Sequence, residues 1–264
     1  MLGLLVGSFL NVVILRLPEM MERQWKQDAA EYLELPAPEV APLGLAYPAS
    51  HCPACHTPLR WYHNIPVLSF AWLRGRCAQC RAGISWQYPL VELLAAGVAL
   101  WAGWHFGATV EGLLAIGFGW TLLTLTVIDQ RTQLLPDVIV YPLLWAGLLI
   151  NLHGTFAPLA DAVIGAAAGY LSLWLVYQVF LKLTGKHGMG FGDFKLLAAL
   201  GAWMGWMSLP GIVLLSSVVG LAWALLLLAT GRMERGQAMP FGPFLAIAGW
   251  LYFVESDRLF AWLL

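Results

Sequence analysis

Three aspartates lie at the borders of long apolar stretches in this chain. Asp129 and Asp137 both belong to the segment DQRTQLLPD, and Asp193 lies in the glycine-rich segment GMGFGDFK at 188–195. Carboxylates within or at the ends of membrane helices are costly and usually belong to a functional site. Two close carboxylates can share one proton, so that one acts as a base toward water and the other as an acid toward a carbonyl. The aspartates therefore indicate the hydrolysis of a peptide bond.

Each aspartate also has a purely structural interpretation. An aspartate at the start of a helix commonly caps it, at a gain of about 0.5–2 kcal/mol. A cap suits Asp137, which follows Pro136, and it suits Asp193 in part. It suits Asp129 badly, because a carboxylate at the C-terminal end of a helix meets the negative end of the helix dipole. Something other than capping must therefore hold Asp129 in place.

The glycines beside Asp193 predict where a substrate would lie. Gly190 and Gly192 lack a Cβ, so an extended peptide could lie against the backbone next to the carboxylate. Irregular backbone at membrane depth is tolerated only where it lines a wet cavity or is buried in protein. We therefore expect Gly190 and Gly192 to bind the substrate.

The four cysteines form two CxxC pairs with metal-site spacing. CPAC at 52–55 and CAQC at 77–80 are separated by 21 residues. Two such pairs can close a tetrahedral zinc site, and four cysteine ligands leave no open position for catalysis. The alternative is two disulfides, which require an oxidising compartment. We predict a structural Zn²⁺ bound by Cys52, Cys55, Cys77 and Cys80.

Composition indicates that these residues belong to a membrane protein. Of the 264 residues, 60% are hydrophobic and 11% are charged, and the mean hydropathy is +0.72, values far from those of soluble domains. A bilayer core takes roughly 20 apolar residues per helix. Stretches of about that length follow the N-terminal one near 88–107, 109–128, 137–153, 158–181, 193–206, 208–230 and 241–254. We predict an all-α polytopic membrane protein with about eight transmembrane helices, in contact with the lipid bilayer.

Basic residues predict the orientation, because positively charged short loops stay in the cytoplasm. With eight spans, all Lys and Arg residues except Arg258 fall at or in loops on one side of the membrane. The cysteine module and the loops that carry the aspartates are therefore expected to face the cytoplasm, where disulfides are rare. The net charge of −1 gives no reason to expect nucleic acid as a partner.

The chain divides into three predicted domains. Residues 1–18 form a first transmembrane helix that is expected to be clipped or tilted, since its apolar stretch reaches Arg16 before the length of a full span; a secretory signal peptide would carry its charges before that stretch. Residues 19–87 form a cytoplasmic zinc-ribbon-like cysteine module, with an extended Pro- and Ala-rich linker at 34–50. Residues 88–264 form the transmembrane domain that carries the aspartates.

These motifs resemble those of the bacterial type IV prepilin peptidases, which belong to the GxGD class of aspartic proteases. The resemblance covers nearly the whole chain. It rests on GSFLNVVILRLP at 7–18, NIPVLSF and ISWQYPLVE in and after the cysteine module, DQRTQLLPD at 129–137, and GMGFGDFKLLAALGAW at 188–203.

The resemblance implies both an activity and its residues. It identifies Asp129 and Asp193 as the catalytic pair, with Asp137 as the alternative to Asp129. It implies cleavage of the leader peptide of prepilins and pseudopilins of type IV pili and type II secretion, on the cytoplasmic side of the bacterial inner membrane. It also implies methylation of the new N-terminus by S-adenosyl-L-methionine. No residue is assigned to the methyl donor, and a homodimer is compatible with the sequence.

A second class of function remains open from the residues alone. Intramembrane carboxylates also line the path of a transporter, and a zinc-stapled module can dock a partner onto a membrane scaffold. A transporter would place its charges near the bilayer midplane and show an inverted repeat. This chain places its acids toward one face and shows no obvious repeat. We therefore favour the peptidase interpretation.

Overall fold

The structure is a computed structural model that describes residues 1–36, 42–232, 234 and 239–259, and of 256–259 only the backbone. Within these residues the regular secondary structure is helical, apart from two isolated antiparallel bridges next to the cysteines. The predicted all-α fold class is confirmed.

By its internal contacts the chain divides into two compact units, which we call the N-terminal unit, Met1–Ile116, and the C-terminal unit, Gly117–Leu264. The helices that begin in the N-terminal unit are α1 (Leu2–Tyr32), α2 (Leu68–Trp72), α3 (Gln87–Phe106) and α4 (Val110–Thr132), the last of which continues into the C-terminal unit. The C-terminal unit also contains α5 (Asp137–Ile150), α6 (Leu159–Thr184), α7 (Phe191–Met204), α8 (Leu209–Ala229) and α9 (Gly242–Leu259).

Helix α1 is longer than the sequence led us to expect. A membrane helix over 1–18 was predicted, but α1 continues through Pro18 for a total of 31 residues. The added turns carry two ion pairs at four-residue spacing, each with an N–O distance of 2.6 Å. Such pairs stabilise a helix by about 0.2–0.5 kcal/mol each. Residues 19–32, expected within the cysteine module, therefore form a polar extension of α1. The two pairs are Glu19–Arg23 and Glu22–Lys26.

The predicted linker at 34–50 lies partly outside the described residues, which omit 37–41. Its described remainder contains no helix or strand. The Arg16 guanidinium of α1 donates hydrogen bonds to three backbone carbonyls within 44–48, at 3.0, 3.2 and 2.7 Å. This arginine therefore fixes the end of the linker against α1.

In the N-terminal unit, α1 and α3 approach closely through glycines. A Cβ added at Gly3 would lie 2.7 Å from the Cα of Ala96, and one added at Gly7 would lie 2.6 Å from the Cα of Glu92. Glycines spaced four apart let two helix backbones touch in a membrane, where packing rather than the hydrophobic effect drives association. Gly3 and Gly7 form such a Gly-x-x-x-Gly face.

In the C-terminal unit, the same device joins α6 to α7. Gly165 and Gly169 of α6 again stand four apart, and a Cβ at Gly165 would overlap the backbone carbonyl of Gly201. A Cβ at Gly169 would lie 2.6 Å from the carbonyl oxygen of Leu197. Ten of the 14 residues of α7 are buried, so α7 is the central helix of this unit.

The C-terminal end of α7 is anchored by α5 and the turn after it. Asn151 is fully buried, and its Nδ2 donates to the carbonyl oxygens of Ala202 and Trp203 at 2.9 and 3.0 Å. The indole N–H of Trp203 donates to the carbonyl oxygen of Leu143 at 2.8 Å. The two Asn151 bonds satisfy carbonyls at the end of α7 that have no partner within the helix. Since its far end is fixed in this way, α7 holds its first turn in a defined place.

Five helices among the described residues are long and apolar enough to cross a bilayer, so the chain is a multi-pass membrane protein. They are Leu2–Tyr32, Gln87–Phe106, Val110–Thr132, Leu159–Thr184 and Trp206–Ala229. Two further apolar helical stretches, Asp137–His153 and Gly242–Glu255, are shorter. A helix of 14 residues such as α7 rises only about 21 Å, less than the core of a bilayer. The predicted count of about eight spans is therefore not confirmed.

Candidate active site and metal centre

Asp129 lies in the last turn of α4 and is 5% exposed. The backbone N–H of Gly242, at the start of α9, interacts with its carboxylate. The carboxylate oxygen Oδ2 has no hydrogen-bond partner among the residues that the structure describes. A buried acceptor without a partner is costly, and a negative charge at the C-terminal end of a helix adds to that cost. Packing alone therefore does not explain Asp129.

Asp193 lies in the first turn of α7 and is 7% exposed. The backbone N–H of Gly190 interacts with its carboxylate, and the Asp129 carboxylate is close enough to act on it electrostatically. The N-terminal end of α7 favours negative charge here. The structure thus brings together two buried carboxylates from different helices, as the sequence predicted for Asp129 and Asp193.

Asp137 has a different environment. It is the first residue of α5, after Pro136, but its carboxylate is bound to Lys195 of α7, whose Nζ donates to both oxygens at 2.8 Å. No side-chain hydrogen bond caps α5, so the capping interpretation of Asp137 does not hold, and its carboxylate is directed toward Lys195 instead. An acid that already has a cationic partner, and whose side chain is 49% exposed, is the weaker candidate to share a proton with Asp193.

The two glycines predicted to bind substrate differ in their surroundings. Beyond its own chain neighbours, a Cβ added at Gly190 would meet among the described residues only Oδ2 of Asp193 within 4 Å, at 3.7 Å, so space is open beside that carboxylate. A Cβ added at Gly192 would lie 2.8 Å from the Cβ of Leu135. Gly192 therefore has a packing reason to be glycine, since it lets the segment after α4 approach α7. Contact of either glycine with a substrate remains a prediction.

Sequence reasoning missed Gly242. A Cβ added there would lie 2.6 Å from Oδ2 of Asp129 and 3.1 Å from Cδ1 of Leu135. A larger residue would therefore displace the Asp129 carboxylate. The signal that could have found it is PFGP at 240–243, where glycine and proline stand at the start of an apolar stretch, as glycines do before Asp193.

The cysteine cluster has the geometry of one four-coordinate metal site. The Sγ atoms of Cys52, Cys55, Cys77 and Cys80 all lie within 4.8 Å of one another, and all four are free thiols. The two Sγ atoms of Cys52 and Cys80 are 3.8 Å apart. A tetrahedral site with Zn–S bonds near 2.3 Å places its sulfurs about 3.8 Å apart. The residues therefore fit a metal ion, and the alternative of two disulfides is not found.

The two CxxC loops have the same backbone conformation. The N–H groups of Cys52 and Cys77 each donate to the carbonyl five residues later, at 3.0 and 2.8 Å. The residues after each second cysteine, His56 and Arg81, have positive φ values of 55° and 62°. Each loop therefore points its two thiols toward one place.

The thiols do not share one protonation preference. Hydrogen bonds with the side chain and backbone of Thr57 lower the pKa of the Cys55 thiol to about 6. Despite a backbone hydrogen bond from Ala82, burial and the neighbouring thiols raise the pKa of Cys80 to about 11. Four adjacent thiols cannot all ionise without a cation among them, whereas metal ligation requires the thiolate form.

Comparisons with known proteins identify the family domains that the chain matches. Residues 1–106 match the Bacterial Peptidase A24 N-terminal domain, and residues 116–225 match the Type IV leader peptidase family. No solved structure matches the chain.

Curated relatives match along almost the whole chain. A protein of Pseudomonas putida, named prepilin leader peptidase/N-methyltransferase, is 53% identical over 98% of this chain and 90% of its own length. Proteins with the same name from Dickeya chrysanthemi and Neisseria gonorrhoeae are 53% and 48% identical, over 94% and 98% of this chain and 88% and 90% of their own lengths. Both the matched domains and these identities lead to one conclusion: the chain belongs to the type IV leader peptidase family.

Proposed function

We propose that this chain is an intramembrane aspartic endopeptidase that removes the leader peptide of type IV prepilins and pseudopilins and then methylates the new N-terminus. Its relatives carry the name prepilin leader peptidase/N-methyltransferase. The observation that carries the peptidase half is the meeting of Asp129 and Asp193, buried together with one carboxylate oxygen left without a partner. Both acids lie at helix ends rather than in mid-helix, which favours an enzyme over the transporter or scaffold alternative.

The two carboxylates divide the chemistry by sharing one proton. The ionised carboxylate removes a proton from a water molecule as the water oxygen attacks the scissile carbonyl. The protonated carboxylate donates a hydrogen bond to the carbonyl oxygen, on which negative charge develops. When the C–N bond breaks, the leaving nitrogen takes up the proton that came from water. Asp129 and Asp193 suit these roles, because neither is bound to a basic side chain of the residues that the structure describes, unlike Asp137.

The substrate lies in the open space beside Gly190. An extended peptide that passes this glycine would place a carbonyl next to the carboxylate of Asp193, since apart from the neighbours of Gly190 in the chain, Asp193 Oδ2 is the one atom of the described residues within 4 Å of a Cβ built there. The apolar stem of a prepilin stays in the bilayer, and its leader extends to the membrane face on which the aspartates lie. The distribution of Lys and Arg supports placing that face in the cytoplasm, across the inner membrane.

The proposal includes two cofactors, one bound by the cysteines and one required for methylation. Zn²⁺ is the metal that four cysteines in tetrahedral geometry bind, and its function here is structural, because the four thiols complete the coordination shell. S-adenosyl-L-methionine supplies the methyl group when it is bound. Fixing the CxxC loops with a metal stabilises a segment whose only helical elements are the five-residue α2 and a four-residue 3₁₀ helix.

Product masses test the proposal directly. Purified protein is incubated with a prepilin peptide that contains the leader and the first apolar residues, with and without S-adenosyl-L-methionine. We expect the cleaved peptide in both reactions and a further mass of one methyl group only with the methyl donor. An intact peptide in both reactions would contradict the proposed function.

A further inference from the structure

A buried carboxylate in the N-terminal unit has no function in peptide cleavage as described above. Glu92 of α3 is 6% exposed. Its Oε2 accepts a hydrogen bond from the backbone N–H of Val67 at 2.8 Å, and the Ser8 hydroxyl of α1 also bonds to the carboxylate. Among the described residues no Lys, Arg or His forms an ion pair with it. A buried charge without a cationic partner is costly, so the carboxylate needs an explanation.

The Val67 backbone that Glu92 holds is strained. Val67 has φ 59° and ψ −47°, and positive φ is a genuine outlier for a β-branched residue. The N–H of Leu68 donates to the carbonyl of Pro66 across this residue, which makes the segment a tight γ-turn. Such conformations cost about 1–3 kcal/mol and gather at active sites and ligand clamps. The hydrogen bond to Glu92 thus fixes a strained turn beside the carboxylate.

Asn11 of α1 adds a second acceptor to the same helix interface. It is 2% exposed, and its Nδ2 donates to the carbonyl oxygens of Gly7 and Tyr88 at 3.3 and 3.0 Å. Its Oδ1 has no hydrogen-bond partner among the described residues. Exchanging the two amide atoms would direct an oxygen at two carbonyls, so the hydrogen bonds set the orientation. The buried Oδ1 is therefore an unused acceptor.

These two acceptors lie on adjacent turns of the contact between α1 and α3. Ser8 and Asn11 are three residues apart on α1, whereas Tyr88 and Glu92 are four apart on α3, and both spacings keep side chains on one helix face. Ser8 reaches Glu92 and Asn11 reaches the Tyr88 carbonyl. Ser8 is only half-buried, so the cluster is not sealed from outside.

The unused hydrogen-bond acceptor positions of Glu92 and Asn11 favour a ligand of defined chemistry. A carboxylate has about four acceptor positions and an amide oxygen has two, and the Glu92 carboxylate uses two of its own. The remaining positions accept hydrogen bonds and favour positive charge. A primary ammonium group carries three donors, no acceptor and one positive charge. It therefore matches this cluster better than a neutral or anionic group does.

We propose that Asn11, Ser8 and Glu92 form a binding site for a primary ammonium group that takes part in the methylation reaction. This inference rests on the proposed function, in which cleavage exposes a new N-terminal amine that must be held during methyl transfer. The methyl donor also carries a primary ammonium on its amino-acid part. Both sources share the chemistry, and the experiment separates them.

Full-length purified variants test this site, with cleavage and methylation followed as separate product masses. Glu92→Gln keeps the shape and an oxygen acceptor for Val67 but removes the charge, and Asn11→Leu removes Oδ1. We expect methylation to fall by about 10- to 100-fold, the cost of losing a charge-assisted hydrogen bond, while cleaved peptide still accumulates. Glu92→Asp keeps the charge and should recover part of the methylation. Glu111→Gln, an exposed glutamate of the same unit, is the matched control and should leave both activities unchanged.

The concentration dependence identifies the ligand. A peptide that already begins at the mature N-terminus is methylated in place of the full substrate, so that cleavage does not limit the rate. A raised KM for the peptide in Glu92→Gln identifies the substrate amine, and a raised KM for the methyl donor identifies the donor's ammonium. Unchanged methylation in Glu92→Gln and Asn11→Leu would overturn the proposed site. Equal losses of cleavage and methylation in Glu92→Gln, Asn11→Leu and Glu92→Asp would overturn it too. If the wild type cleaves nothing and methylates nothing, the proposed function itself fails.

Discussion

Each unit of the molecule contains two helices that meet through glycines spaced four apart, and in each unit the partner helix carries a buried acid. Gly7 of α1 touches the backbone of α3 at Glu92 itself. Gly169 of α6 touches α7 at Leu197, one turn after Asp193. Both units pack helices through glycines spaced four apart. The acid lies at the helix contact in the N-terminal unit and beyond it in the C-terminal unit.

This difference in position determines what each carboxylate can do. At the contact, Glu92 lies against α1 and the Val67 turn, and two hydrogen bonds hold it while its other acceptor positions stay unused among the described residues. Beyond the contact, Asp193 stands at the open start of α7, next to Asp129 and the space at Gly190. The close glycine contact thus fixes two helices against each other. An acid placed one turn beyond that contact stays accessible to a peptide and a water molecule.

The largest expected effect comes from the acid beyond the contact. Asp193→Asn should reduce leader cleavage by about 10²- to 10⁴-fold, the usual contribution of a general acid or base, because an amide cannot take up and release the shared proton. Circular dichroism should show the helix content of the wild type, since the substitution preserves size. Glu92→Gln, tested beside it, should still cleave. Wild-type cleavage by Asp193→Asn would end the peptidase assignment of this residue.

The next largest effect is expected at the glycine contact between α6 and α7. Gly201→Leu should lower the thermal stability by several degrees or prevent folding, because a Cβ at Gly201 would overlap the backbone of Gly165, which cannot move aside; overpacking of this kind costs about 1–3 kcal/mol or more. Thermal unfolding in detergent measures the change. Gly117→Ala is the control, since no described residue outside its own turn of helix lies within 4 Å of a Cβ there, and replacing a mid-helix glycine by alanine should stabilise by about 0.5–1 kcal/mol. Equal melting temperatures for the two variants would show that the glycine contact does not contribute to thermal stability.

Removing the metal should affect one unit and spare the other. Chelation, or the substitution Cys52→Ser, is expected to release one Zn²⁺ per chain and to raise hydrogen exchange across residues 51–83, because the CxxC loops have no large apolar core of their own. Residues 191–204 of α7, packed by glycine and buried, should keep their protection. A zinc content near zero in the untreated protein, or exchange that rises equally in both segments, would contradict this expectation.

The smallest effect should follow from loss of the ion pair between Asp137 and Lys195. Lys195→Met leaves Asp137 without its partner, but the Asp137 side chain is 49% exposed, and pairs that face solvent contribute about 0–1 kcal/mol. The melting temperature should therefore change far less than in Gly201→Leu. A larger loss of stability in Lys195→Met than in Gly201→Leu would reverse the proposed order of the contacts.

The chemistry of the site was predictable from residue type and position. Asp129 and Asp193 are recognisable because each is a carboxylate at the end of an apolar stretch. The CxxC spacing alone predicts the cysteine cluster. The Gly-x-x-x-Gly spacing at Gly3 and Gly165 is also present in the sequence, but spacing alone does not show which helix each glycine face contacts.

Other features depend on contacts between residues far apart in the chain. Nothing local shows that Lys195 binds Asp137, or that Gly242 lies against Asp129. The length of α1 was misjudged because the end of hydrophobicity was taken for the end of the helix, whereas ion pairs continue it to Tyr32. The strained Val67 turn depends on the Glu92 carboxylate, and no turn signal in the sequence reports it.

Leader cleavage by Asp129→Asn and Asp137→Asn, measured side by side on one prepilin peptide, tests most directly whether the unpaired buried acid is the partner of Asp193. We predict that Asp129→Asn yields no cleaved peptide above background, while Asp137→Asn retains measurable cleavage, since Asp137 is bound to Lys195 in the structure. Cleavage retained by Asp129→Asn and lost in Asp137→Asn would contradict the account.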